Sequence, residues 1–158
     1  MKSLLKFTCI ATLVTLCAAA SAAPPTDPVI GSWKLNVAAS KFSPGPALKS
    51  QSRVYSMSAD GITLAAKSVD AEGKETSTSV TYMTNGKEFP VKGNPNWDTI
   101  TAKQINAHTA EFSFKKGGKD VGTGDRVVSK NGKTLTSNQR GTNAKGEKYD
   151  DKMIFDRE

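Results

Sequence analysis

The clearest structural signal in this chain lies in residues 109–118, which run TAEFSFKKGG. Ala110, Phe112 and Phe114 alternate with polar residues, and a Gly117-Gly118 pair follows. Successive side chains of a strand point to opposite faces, so the alternation predicts a strand with one buried and one solvated face. The glycine pair predicts a tight hairpin turn after it.

The same combination of a short strand and a tight turn recurs along the rest of the chain. We expect tight turns at Asp60-Gly61, Asn85-Gly86 and Asn131-Gly132, and longer ones at Glu72-Gly73 and Lys145-Gly146. The predicted strands are residues 31–36, 51–58, 62–70, 75–84, 87–91, 97–104, 109–115, 120–129, 133–139 and 147–157. No convincing helical period follows residue 22, although residues 36–41 could form one helical turn.

Ten strands joined by tight turns predict an all-β fold, an antiparallel up-and-down meander. An open meander has two unpaired edges, and closing it into a barrel removes them. We therefore expect a barrel, with an open two-sheet sandwich as the alternative. In the last strand, one face is predicted to carry Tyr149, Asp151, Met153, Phe155 and Arg157.

The N-terminus has the three parts of an export signal. Lys2 and Lys6 give a positive start, residues 7–20 form an apolar run, and Ala20-Ser21-Ala22 is a small-x-small cleavage site. The run is shorter than the ~20 residues that span a bilayer. We predict a cleaved signal peptide at residues 1–22 and a protein of the bacterial periplasm or exterior, with no stable membrane insertion after cleavage.

Cleavage after residue 22 would leave residues 23–158, which we divide into two parts. Residues 23–30 are rich in proline and are expected to be a flexible lead-in. Residues 31–158 are expected to form one barrel domain. Both cysteines, Cys9 and Cys17, belong to the signal, so packing and sheet hydrogen bonds must stabilise the mature protein without disulfides.

The charge pattern does not favour nucleic acid as a partner. The chain has 22 basic and 15 acidic residues, and without the two signal lysines the net charge is +5. The lysines are scattered through turns, where they solvate loops and protect strand edges. No basic run interleaves with aromatic residues, as nucleic-acid surfaces require.

The residue inventory argues against an enzyme, a cofactor and a metal site. His108 is the only histidine, and it falls in a predicted hairpin turn where a solvated role is expected. A catalytic triad or a zinc site needs more of these ligands. Asp150 and Asp151 point to opposite faces of one strand, and Asp125 could meet Asp151 only through the tertiary fold. No glycine-rich loop opens a helix to hold phosphate.

Small barrels are either packed solid or hold one small ligand. The strand faces carry many small or polar residues, including several threonines, and these favour a partly hydrated cavity. If a site exists, inward residues of the middle strands should line it, with Arg126 as an anion partner at the rim and aromatic bodies providing contact area. The candidate ligand-binding residues are Tyr55, Leu64, Tyr82, Phe112, Tyr149 and Arg126.

Gly31-Ser32-Trp33, at the start of the first strand, resembles the Gly-x-Trp opening of lipocalins and related calycins. Residues 31–36, 40–46, 126–135 and 141–146 also resemble a family of small exported bacterial proteins of undefined function. The likeness implies a closed barrel around an apolar pocket, with a late-strand arginine over the motif tryptophan. It therefore assigns a structural role to Gly31, Trp33 and Arg157. Phe155-Asp156-Arg157 does not match the Arg-x-Tyr of fatty-acid-binding proteins.

Two functional hypotheses follow. The first is an exported protein that binds a small, partly apolar ligand inside the barrel. The alternative is an envelope interaction module or inhibitor that acts through its loops and has a packed barrel. An internal cavity favours the first, and a filled barrel with an exposed apolar loop patch favours the second.

Overall fold

A computed structural model describes residues 27–158, and these fold into a single sheet of ten antiparallel strands. The predicted signal peptide, residues 1–22, lies outside the described residues. The strands are β1 (Gly31–Leu35), β2 (Ser50–Ser58), β3 (Gly61–Val69), β4 (Glu75–Tyr82), β5 (Asn85–Pro90), β6 (Thr99–Asn106), β7 (Thr109–Lys116), β8 (Lys119–Val128), β9 (Thr134–Thr142) and β10 (Lys148–Arg157).

The sheet is an up-and-down meander that nearly closes on itself. Strands that are neighbours in sequence pair with each other, and β1 also pairs with β10. Of the ten described strands, only β4 and β5 are sequence neighbours without a ladder. Ser79 of β4 and Lys92, just after β5, bridge this gap with two backbone hydrogen bonds of 2.9 Å. The predicted all-β barrel is confirmed, and the sandwich alternative is wrong.

All ten predicted strands are present, and their ends shift by a few residues at most. The largest differences include β9, which continues to Thr142 because Arg140 and Gly141 still pair with β8. Residues 36–41 form a turn instead of a helix, since the Asn36 side chain accepts a hydrogen bond from the Ala39 amide at 3.1 Å. Among residues 27–158, no helix has the length and apolar character to cross a membrane.

Alternating strand directions place the connections at two ends of the barrel. One end, which we call the mouth, is formed by residues 36–49, 70–74, 91–98, 117–118 and 143–147. The other, which we call the closed end, is formed by the remaining turns together with residues 27–30 and the last residues of the chain.

Trp33 and Arg157 meet at the closed end, as the resemblance implies. They are register partners in the β1–β10 ladder, and the guanidinium carbon lies 4.1 Å from the indole centroid. Trp33 is fully buried, and its indole N–H donates to the Val29 carbonyl at 2.7 Å. Cation–π contact and hydrogen bonding thus join the first and last strands where the barrel ends.

Gly31 makes this contact sterically feasible. Its φ of +133° is unfavourable for other residues, and a Cβ there would lie 2.5 Å from Nη1 of Arg157. A side chain at this position would displace the guanidinium. This explains physically why a glycine stands two residues before Trp33.

The described part of the predicted flexible lead-in, residues 27–30, is packed against the barrel. Val29 is fully buried under Trp33 and belongs to the core. Asp27 accepts hydrogen bonds from its own turn and forms an ion pair with Arg126 of β8. An apolar side chain and a buried counter-charge hold this segment in place, although its composition alone suggested mobility.

The apolar core is densest toward the closed end. Its largest fully buried members include Trp33, Phe155, Leu135 and Val128. These side chains come from β1, β10, β9 and β8, which are adjacent in the sheet. The space that remains inside the barrel is lined partly by residues of the mouth connections.

Candidate functional site: the barrel cavity

The mouth half of the barrel contains a cavity of about 390 Å³. Inward-facing strand residues form its wall, and residues of the β1–β2 connection, such as Phe42 and Leu48, form part of its rim. Ligand sites in proteins usually measure ~300–1,000 Å³. The cavity is therefore large enough for one small molecule.

The fold brings all six sequence-predicted site residues to this cavity. Its lining includes Tyr55, Leu64, Tyr82, Phe112, Arg126 and Tyr149. The β2–β3 register pairs Tyr55 with Leu64, and Tyr82 meets Phe112 edge to face with centroids 5.8 Å apart. Their positions follow from the alternation of each strand, whereas their part in ligand binding stays a prediction.

Two aromatic residues in the wall were not among the predicted site residues. Trp97, in the β5–β6 connection, stacks on Phe114 of β7 with ring centroids 4.8 Å apart. Both line the cavity. Phe114 shares the inward face of Phe112, so strand parity could have identified it. Trp97 lies in a loop, where no periodic pattern fixes its direction.

Small inward residues on the facing strands keep the cavity open. Thr78 of β4 and Ser137 of β9 line the space. These positions do not fill the volume beside the aromatic rings, so the wall alternates large apolar and small polar groups.

Arg126 does not lie at the rim, and the prediction was wrong on this point. The side chain is almost fully buried. Its guanidinium forms an ion pair with Asp27 and donates a 2.6 Å hydrogen bond to the Tyr82 hydroxyl. The alternation of side chains along β8 predicted that Arg126 points inward. Asp27, which neutralises it, belongs to the closed-end segment and lies 99 residues away in the chain.

The Tyr82 hydroxyl is held neutral at this position. Burial raises the pKa of Tyr82 well above its usual value, and the nearby positive charge of Arg126 lowers it by less. The hydroxyl keeps its proton at physiological pH. Tyr82 can therefore accept from Arg126 and still present an O–H as a donor.

Arg53 is a further cavity residue that the sequence interpretation missed. It lies on β2, is only 6% exposed and lines the cavity. Its Nε donates to Gln51 at 2.9 Å, and its guanidinium carbon lies 4.3 Å from the Phe155 ring centroid. Arg53 is two residues from Tyr55 on the same strand, so the alternation of side chains points both of them inward. Charged residues usually face water, so that signal is easily discounted.

The β1–β2 connection crosses the mouth and is fixed to β10. The Ser43 amide donates to a carboxylate oxygen of Asp151 at 3.1 Å, and the Ser43 carbonyl accepts from the Asp150 amide at 2.8 Å. Asp151 lines the cavity. Burial raises the pKa of Asp151, and the charge of Asp150 adds to this, while the Ser43 amide opposes it.

The other titratable residues considered in the sequence are not arranged for catalysis at the cavity. Asp125 lines the cavity, but it accepts a hydrogen bond from Asn138 at 2.9 Å and makes no hydrogen bond to Asp151. His108 is in the β6–β7 turn at the closed end and is half-buried instead of fully solvated. Within residues 27–158, no group of three or more metal-ligating side chains is assembled.

The site is therefore a partly apolar cavity with buried arginines in its wall. Neither the scan against protein-family models nor the search of curated proteins found a match to the chain.

Proposed function

We propose that this chain is an exported, lipocalin-like protein that binds a small, partly apolar ligand in its barrel cavity. The observation that carries the proposal is the cavity of about 390 Å³ with its aromatic and polar wall. Binding sites of this kind combine apolar contact area with a few polar groups that orient the ligand. Tyr55, Leu64 and Phe112 supply contact area, and Tyr82 and Tyr149 supply hydroxyls.

Two further observations support the parts of the proposal that concern likeness and export. The Gly31, Trp33 and Arg157 contact at the closed end is the arrangement that the lipocalin resemblance implies. Export is supported by the signal pattern of residues 1–22. N-terminal sequencing of protein from the periplasm or culture medium should begin at or next to Ala23, and an unprocessed Met1 would contradict export by this signal.

The cavity can be tested with N-phenyl-1-naphthylamine, a neutral dye that becomes fluorescent in apolar surroundings. The wild-type protein should bind it with a saturable rise in emission. Thr78→Trp places a large ring in the cavity, because Thr78 lines it. We expect this variant to bind the dye at least about tenfold more weakly, a change of ~1.4 kcal/mol.

Thr81→Trp is the matched control. Thr81 is on the same strand but is exposed on the outer face. This variant should bind the dye like the wild type, and circular dichroism should show that both variants are folded. Equal binding by Thr78→Trp and the wild type would show that the dye is not in the cavity. No binding by any of the three proteins would favour the loop-based interaction module.

A further inference from the structure

We infer that the cavity selects amphiphiles that carry a carboxylate, and that Arg53 is the residue that recognises it. This inference rests on the proposed binding function and names the ligand class. It starts from the electrostatics of the cavity wall, which contains two buried arginines with different surroundings.

Arg53 is a buried cation without a counter-ion in the described part of the chain. The ion pairs formed within residues 27–158 involve Lys115, Lys116 and Arg126, and none involves Arg53. Removing a guanidinium from water without a nearby anion is unfavourable. The carboxylate of a bound ligand would remove this free-energy cost. The electrostatic surroundings of Arg53 would therefore change most between the free and the bound protein.

The hydrogen-bonding capacity of Arg53 is also not used fully. Its Nε is occupied by Gln51, but its Nη2 faces the Met153 sulfur at 3.7 Å, and a thioether is a weak acceptor. Its Nη1 makes no hydrogen bond to residues 27–158. A carboxylate oxygen could accept from the free donor without breaking the bond to Gln51.

Arg126 does not compete for the same group. Asp27 already neutralises it, and the Tyr82 hydroxyl accepts from its Nη1. Binding a second anion there would place two carboxylates beside one guanidinium. The uncompensated positive charge of the cavity therefore belongs to Arg53.

The wall opposite Arg53 is suited to the apolar part of such a ligand. β2 and β7 are five positions apart in the ten-strand order, so they face each other across the barrel. Phe112 and Phe114 of β7 line that side, and Trp97 stacks on Phe114. The expected ligand is thus a molecule with an apolar body that faces β7 and one carboxylate that faces β2.

Four acidic residues also line the cavity; Asp125 accepts a hydrogen bond from Asn138, and the other three lie nearer the mouth. Asp70 and Glu147 belong to mouth connections. Asp151 precedes Met153 and Phe155 on β10, and Arg53 contacts those two deeper side chains. The carboxylate of a bound ligand on Arg53 would lie deeper than the acidic groups of the mouth.

The inference can be tested by competition against the bound dye with decanoate and decanol, which share a chain length and differ in the headgroup. A charge-assisted hydrogen bond contributes ~1.5–3 kcal/mol, so decanoate should bind the wild type about 10- to 100-fold more tightly than decanol. Arg53→Met removes the charge and the guanidinium donors and keeps an unbranched side chain. This variant should bind the two compounds within about threefold of each other, a difference below ~1 kcal/mol.

Lys67→Met is the control, because Lys67 is exposed on the neighbouring strand and its loss changes the net charge equally. It should keep the preference for decanoate. Equal affinity for both compounds in the wild type, with the dye still bound, would overturn the inference and leave the proposed function standing. A preference that survives in Arg53→Met would also overturn it. Failure of the dye and both compounds to bind would instead overturn the proposed function.

A measurement on the wild type covers the case in which Arg53→Met does not fold. The carboxyl of ¹³C-labelled decanoate can be titrated by NMR in the bound state. Contact with the guanidinium should lower the pKa of the bound carboxyl below that of free decanoate. A raised pKa would place the carboxyl in an apolar part of the cavity and contradict the assignment to Arg53.

Discussion

At the scale of the residue, Arg157 shows how much one side chain near the chain end can hold together. Besides its contact with Trp33, its guanidinium donates to the carbonyls of Pro28, Ile30 and Gly132. These groups belong to the N-terminal segment and the β8–β9 turn. Arg157 therefore ties two separate parts of the closed end, the N-terminal segment and the β8–β9 turn, to the last strand.

Arg157→Ala should lower the free energy of unfolding by about 2–4 kcal/mol, because three charge-assisted hydrogen bonds and a cation–π contact are lost. Trp33 emission should also change, since the cation over its ring is removed. Urea denaturation followed by fluorescence measures both effects. Lys152→Ala, on the exposed face of the same strand, should change neither. Equal stability losses in the two variants would show that the Arg157 contacts contribute little.

At the scale of the element, the β1–β2 connection depends on its attachment to β10. Lys41 and Lys152 exchange two backbone hydrogen bonds of 2.8 Å, and Ser43 bonds to Asp150 and Asp151. The connection carries Phe42 and Leu48 to the rim of the cavity. Its position therefore decides how wide the mouth is.

The raised pKa of Asp151 makes this attachment dependent on pH. A raised pKa means that the Asp151 carboxyl binds its proton more tightly in the folded chain than in the unfolded chain. Its contribution to the free energy of unfolding is therefore fully present below the ordinary value of 3.8, and it is lost as the pH rises through the raised pKa. Above the raised pKa, the ionised Asp151 costs stability, although it accepts the hydrogen bond from Ser43.

Asp151→Asn should therefore raise the free energy of unfolding at pH 7, because the amide oxygen can still accept from Ser43 and no charge is buried. The gain should shrink as the pH approaches 3.8, where the wild-type carboxyl is protonated in both states. Urea denaturation at several pH values measures it. Asp60→Asn, in an exposed turn, should show no comparable gain. A gain that does not vary with pH would contradict the role of this carboxyl.

At the scale of the whole molecule, the barrel depends on one short bridge for its closure. Ser79 of β4 and Lys92, just after β5, form the backbone-bonded bridge across the gap. Gly93 follows with a φ of +78°, and a Cβ there would overlap the carbonyl oxygen of Ser77. The two sides of the gap can approach this closely because residue 93 has no side chain.

Gly93→Ala should weaken the closure and speed hydrogen exchange at the Ser79 and Lys92 amides, with a loss of about 1–3 kcal/mol from backbone strain and overlap. Gly118→Ala is the matched control, because Gly118 has a φ of +77° and open space around it. Exchange-detected NMR should find the bridge amides unaffected in that variant. Equal exchange at the bridge in both variants would mean that the overlap at Ser77 is unimportant.

The sequence by itself determined the ten strands, most of their turns and the inward direction of residues such as Tyr55 and Phe112, although Asn85-Gly86, predicted as a tight turn, lies within β5. These features follow from period-two alternation and from turn residues, which act over a few neighbouring positions. The same rule placed all six predicted residues on the cavity wall. The Trp33–Arg157 contact was implied by the lipocalin resemblance, and closure of the meander pairs the first and last strands that carry the two residues.

Only the tertiary structure decided which charges are compensated and where the barrel is weakest. Arg53 and Arg126 both face inward, but Asp27 reaches only Arg126, from 99 residues away in the chain. The position of the gap between β4 and β5 likewise depends on contacts across the barrel. Pair distances between remote residues depend on the packing of all strands at once, and no local pattern encodes them.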